Sequence, residues 1–90
     1  MDEYGLKVNI SVMKDGDEYP TVHRQEWRNS NRHVLIHSAR AWIMRTLKDY
    51  TVEDYVNPLD LEKVTAGVTY HEWYHGTNMT IKLRVDRIVV

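Results

Sequence analysis

Leu6, Val8, Ile10 and Val12 alternate with Lys7, Asn9, Ser11 and Met13. A period of two puts one set on each side of an extended chain, so this stretch predicts a half-buried strand. Lys14-Asp15-Gly16-Asp17 follows, and its Asp-Gly pair supplies the positive φ angles of a tight hairpin turn. The return strand is expected over Glu18 to His23. Pro20 has no N–H to give a ladder, which places that strand on a sheet edge. From Arg32 the period lengthens. Leu35, Ile36, Ala39, Trp42, Ile43, Leu47 and Tyr50 recur at helical spacing and fill one arc of a helix ending near Asp49. His33, His37, Arg40, Met44 and Lys48 fall on the opposite arc. Asn29-Ser30-Asn31 offers side-chain oxygens to cap its first N–H groups.

Residues 51–66 fit two descriptions, a short helical turn over Pro58 to Lys63 begun by an Asn57 cap, or an irregular acidic loop. Val68 to His75 and Met79 to Val85 then read as a second hairpin. Gly76-Thr77 is its expected two-residue turn, with glycine where a type II′ turn needs it. In that register Val68 faces Val85, Tyr70 faces Leu83, Glu72 faces Ile81 and Tyr74 faces Met79. The other surface pairs Thr69 with Arg84, His71 with Lys82 and Trp73 with Thr80. One surface is nearly all apolar and the other nearly all polar, and a slip of one residue would scramble both. The order β-β-α-(turn)-β-β predicts an α+β domain with one main helix on a mainly antiparallel four-stranded sheet. This order of elements resembles the β-grasp topology of ubiquitin-like proteins. The tail Ile88-Val89-Val90 lacks a terminal diglycine, so the resemblance does not imply conjugation.

Ninety residues make one domain with a modest core. The absence of cysteine excludes disulfides and thiolate metal sites and fits a reducing, cytoplasmic setting. No apolar run approaches the roughly 18 residues a membrane span needs. The acidic start Met1-Asp2-Glu3-Tyr4 is unlike a signal peptide. A net charge of −1 gives no overall pull toward nucleic acid or an anionic membrane. The charges are nevertheless segregated. Residues 23–48 carry six Lys/Arg against Glu26 alone, and residues 49–62 carry five acids and no base. A solvated helix followed by a solvated loop accounts for such blocks as well as a partner does.

The sharpest chemical string is His71-Glu72-Trp73-Tyr74-His75, which matches the H-E-x-x-H zinc signature. That signature works on a helix, where residues four apart share a face. Here Gly67 and Gly76 bracket a stretch rich in Val, Thr, Tyr and Trp, which favours strand. Strand residues four apart are separated by about 13 Å, too far for two nitrogens to reach one zinc. No metal or other cofactor is therefore expected. Glu72 falls on the core face, where a carboxylate needs a partner such as a tyrosine hydroxyl, or water at a sheet edge. His33 and His37 lie one helical turn apart, but Arg40 and Lys48 on the same arc oppose a cation. Ser11, Ser30 and Ser38 sit in no nucleophile motif, and no glycine-rich phosphate loop occurs.

Two surfaces remain as binding candidates. The outer face of the second hairpin carries His71, Trp73, His75, Lys82 and Arg84, a tryptophan flanked by cations that suits a protein hot spot or base stacking with phosphate contacts. The competing reading makes Trp73 part of a core covered on both sides. The second surface is the basic helix face with Arg40, Arg45 and Lys48. The expected function is a non-catalytic protein-binding module of the adaptor, inhibitor or accessory kind, including those encoded by phages and other mobile elements, with self-association as one option. Nucleic-acid binding through the helix or the Trp73 face is the alternative.

Overall fold

The computed structural model describes residues 3–50 and 60–89. The elements run β1 (Tyr4–Lys14), β2 (Thr21–Asn29), α1 (Arg32–Lys48), α2 (Leu61–Thr65), β3 (Tyr70–Gly76) and β4 (Met79–Arg87). The four strands form one sheet in the order β2-β1-β4-β3. Every pairing is antiparallel, including that of β1 with β4. This is the α+β arrangement that the pattern predicts. The likeness to ubiquitin-like proteins stays at the order of elements. No helix among the described residues is long and apolar enough to cross a membrane.

The core forms where the two central strands put their apolar alternates on one side. Leu6, Val8, Ile10 and Val12 of β1 and Ile81, Leu83 and Val85 of β4 are almost wholly inaccessible. Across from them α1 contributes Leu35, Ile36, Ala39, Ile43 and Leu47, the arc expected from helical spacing. Asn31 caps α1, its side-chain oxygen accepting from the N–H groups of His33 and Val34 at 3.0 and 3.2 Å. Trp42 and Tyr50 complete the arc at its margin and are only half-buried. The Trp42 ring stands edge-on to Trp27 of β2 with centroids 5.6 Å apart, and the Tyr50 hydroxyl lies 2.8 Å from His23 Nε2. These contacts fix α1 over β1 and β2.

The short α2 covers the other half of the sheet, packing Leu61 and Val64 into the same core against β4 and β1. Its cap is Asp60, whose carboxylate accepts from the N–H groups of Glu62 and Lys63. The Asn57-Pro58 start expected for this turn lies outside the described residues.

Three expectations need correction. First, the return strand begins at Thr21 and runs to Asn29, beyond the His23 limit set by alternation. It lies on an edge, as Pro20 implies, and an edge strand can carry polar residues on both faces, so Arg24 to Arg28 show no period. Second, the turn of the second hairpin is Thr77-Asn78, with Gly76 still in the ladder opposite Met79. Gly16 and Gly67 adopt positive φ and Gly76 does not, so the type II′ geometry is not formed. Third, the register therefore moves by two residues. Tyr70 faces Val85, Glu72 faces Leu83 and Tyr74 faces Ile81. Val68 falls outside the strand and is 58% exposed. A shift of two keeps each side chain on its face, so the division into apolar and polar surfaces survives.

Candidate binding surface

The helices cover one side of the sheet, and the opposite alternates form an open face. Because β1 pairs with both β2 and β4, this face runs in rows across all four strands. One row reads Arg24, Asn9, Arg84, His71. The next reads Val22, Ser11, Lys82, Trp73. A third row contains Glu26, Lys7 and Asp86, with Arg28 beyond it on β2.

All five residues expected on the outer hairpin face meet here. His71, Trp73 and His75 come from β3, Lys82 and Arg84 from β4. Trp73 is 53% exposed. Its cross-strand neighbour is Lys82, not Thr80, and the Lys82 ammonium lies 5.2 Å from the centroid of the indole ring. A cation over an aromatic face in partial contact with water adds about 0.5–1 kcal/mol and holds the ring in place.

Arg84 is held from the other side. Its Nε donates to Asp86 Oδ2 at 2.7 Å, and Thr69 Oγ1 donates to Asp86 Oδ1 at 3.0 Å. Burial pushes the Asp86 carboxyl up. The hydrogen bonds from Arg84 and Thr69, with the charges of Arg84 and Lys7, outweigh it and set the group below the ordinary aspartate range. Arg28 pairs with Glu26 at 3.7 Å.

The face carries Lys7, Arg24, Arg28, Lys82 and Arg84 against Glu26 and Asp86, so it is positive in a chain whose net charge is −1. Between the strands lies an open depression of about 290 Å³. Asn9 and Ser11 form its polar floor, and Arg24, Lys82 and Arg84 stand round it beside Val22. The first-hairpin residues Lys7, Asn9, Ser11, Val22 and Arg24 are absent from the sequence-based site. Their outward alternation is legible in β1, but their place beside Lys82 and Arg84 depends on the β1–β4 pairing.

The other candidates are distributed differently. Arg40, Arg45 and Lys48 are all exposed on α1. At about 100° per residue they spread over roughly 140° of the helix surface, so they do not converge on one point. His33 and His37 are exposed on the same helix. The H-E-x-x-H segment is β3, an extended strand, so its histidines stand four residues apart along an edge with Glu72 on the other side. Among the described residues no three His, Asp or Glu side chains gather as a metal site.

Glu72 keeps its place on the helix side, but it is exposed because β3 is an edge strand. Tyr70 Oη donates to it in a long 3.4 Å hydrogen bond. Burial, reinforced by the negative charge of Glu72, raises the Tyr70 phenol above its ordinary value.

No protein-family model, curated protein or solved structure matches the chain.

Proposed function

We propose that this chain is a non-catalytic protein-binding module whose working surface is the open face of the sheet, and that its partner presents an acidic surface. The observation that carries this reading is Trp73, a half-exposed tryptophan clamped by Lys82 on a face dominated by cations. Trp and Arg are the residues that most often dominate binding energy in protein interfaces. A ring already oriented by its neighbour loses little freedom on association. Most of the charged groups gathered here are cations, an arrangement that attracts an anionic partner.

Affinity capture from the native host lysate, with and without nuclease, tests the reading. A nuclease-resistant protein partner lost on Trp73→Ala is the expected result. Arg40, Arg45 and Lys48 changed together to Glu should matter less for that partner.

The depression rimmed by Arg24, Lys82 and Arg84 favours one second reading, in which the face holds single-stranded nucleic acid with a base on Trp73 and phosphates over the cations. That reading predicts capture abolished by nuclease and an affinity that falls steeply with salt, because each neutralised phosphate releases counterions.

A further inference from the structure

β2 is one of the two edges of the sheet, and none of the described strands pairs with its outer side. Its nine residues, Thr-Val-His-Arg-Gln-Glu-Trp-Arg-Asn, have an internal symmetry. Turned antiparallel on itself about Gln25, the strand sets Arg24 against Glu26 twice. It also sets His23 against Trp27, Val22 against the aliphatic stem of Arg28, and Thr21 against Asn29. We propose that β2 pairs with β2 of a second copy about a two-fold axis at Gln25, making one continuous eight-stranded sheet.

The charges choose this register. A slip of two residues one way puts Arg24 against Arg28 and Glu26 against Glu26. A slip of two the other way puts Arg24 against Arg24. Slips of one residue set outward side chains against inward ones. Charged residues on an edge ordinarily block pairing with other strands. Here they block wrong registers and permit the self-complementary one. The other edge lacks this property: β3 turned on itself about Trp73 sets His71 against His75 and Glu72 against Tyr74, with no ion pair.

The helix layer fits the same axis. α1 packs against both β1 and β2. A two-fold axis normal to the sheet leaves both α1 helices on the same side of the joined sheet. The Trp27–Trp42 contact identifies the flank of α1 that faces this edge. Continuing round the helix from Trp42, that flank carries Ser38 and the exposed Arg45, then Val34 and Ala41. Pairing would bring Val22, 47% exposed, onto the Arg28 stem of the second copy. This inference is independent of the partner held on the open face.

Sedimentation velocity of the full chain over a concentration series tests it. The unaltered protein should show a monomer–dimer equilibrium. Arg24→Glu and Glu26→Arg should each weaken the dimer by roughly tenfold or more, since two attractive cross-strand pairs become repulsive. An equimolar mixture of the two variants should regain the dimer, because each then meets its opposite charge. Glu72→Lys on the β3 edge should leave association unchanged. Circular dichroism of each variant verifies the fold, and restoration in the mixture separates lost pairing from lost structure. A monomer at every concentration overturns the proposal. So do single variants that associate like the unaltered chain, and folded variants whose mixture stays monomeric.

Discussion

On β4, Ile81, Leu83 and Val85 are sealed within the core, while the alternate residues Lys82, Arg84 and Asp86 stand on the open face. The two sets share one backbone and one ladder of hydrogen bonds but face different constraints. The inner set must match the volumes of Leu35, Ile43 and Leu61 across from it, since interiors are packed to crystal-like density. The outer set must only remain compatible with a strand and with its neighbours' charges. Stability should therefore be concentrated on one side of the sheet and recognition on the other.

Substitutions can break that division. Leu83→Ala removes a fully buried side chain at the sheet centre and should cost about 3–4 kcal/mol, a large share of the stability of so small a domain. A denaturant midpoint unchanged by this substitution would refute the assignment of faces. Trp42→Ala should cost less than a fully buried tryptophan would, about 2–3 kcal/mol, because its ring sits at the margin against Trp27. A loss as large as that of Leu83→Ala would mean that the margin is as tightly packed as the centre.

Trp73→Ala should change stability by less than about 1 kcal/mol while weakening the protein partner by about 2 kcal/mol or more. Paired thermal melts and titration calorimetry test this directly, and unfolding by this substitution would move Trp73 into the core.

The smallest effect should come from Asp86→Asn, a loss of about 1 kcal/mol at neutral pH from a pair whose arginine end is open to solvent. The folded carboxyl titrates below the unfolded one, so its stabilisation is complete above the ordinary aspartate range near 3.9. It fades as pH falls through the lower folded value. Melting curves of the two proteins should accordingly converge in acid, and a gap that widens on acidification would contradict the charge environment described for Asp86.

Much of this division was legible in residue order. The alternation from Leu6 to Val12 and the helical spacing from Leu35 to Leu47 each name the buried set, because burial acts on every residue of a repeating pattern. Placement of His71, Trp73, His75, Lys82 and Arg84 on one face followed from the same parity. The register of the second hairpin did not, since moving by two residues leaves both faces intact, and the choice between turns at Gly76-Thr77 and Thr77-Asn78 rests on local backbone geometry. The extension of β2 to Asn29 was hidden because only Trp27 in that stretch has an aromatic partner on the helix. The contribution of Asn9, Ser11 and Arg24 to the open face was hidden for a different reason. It arises from the pairing of the first strand with the last, and nothing local to either strand encodes that neighbour.

The alternation along β1 and β4 also has a genetic meaning. Codons that must be preserved for folding are interleaved, one by one, with codons that need only specify a strand-compatible outward residue. A point mutation at Asn9, Ser11, Lys82 or Arg84 can alter what the surface attracts without crossing a loss of structure on the way. New recognition can thus be reached through a series of single, individually tolerated steps, and the lineage that carries this sheet can follow a changing partner at small risk to the fold.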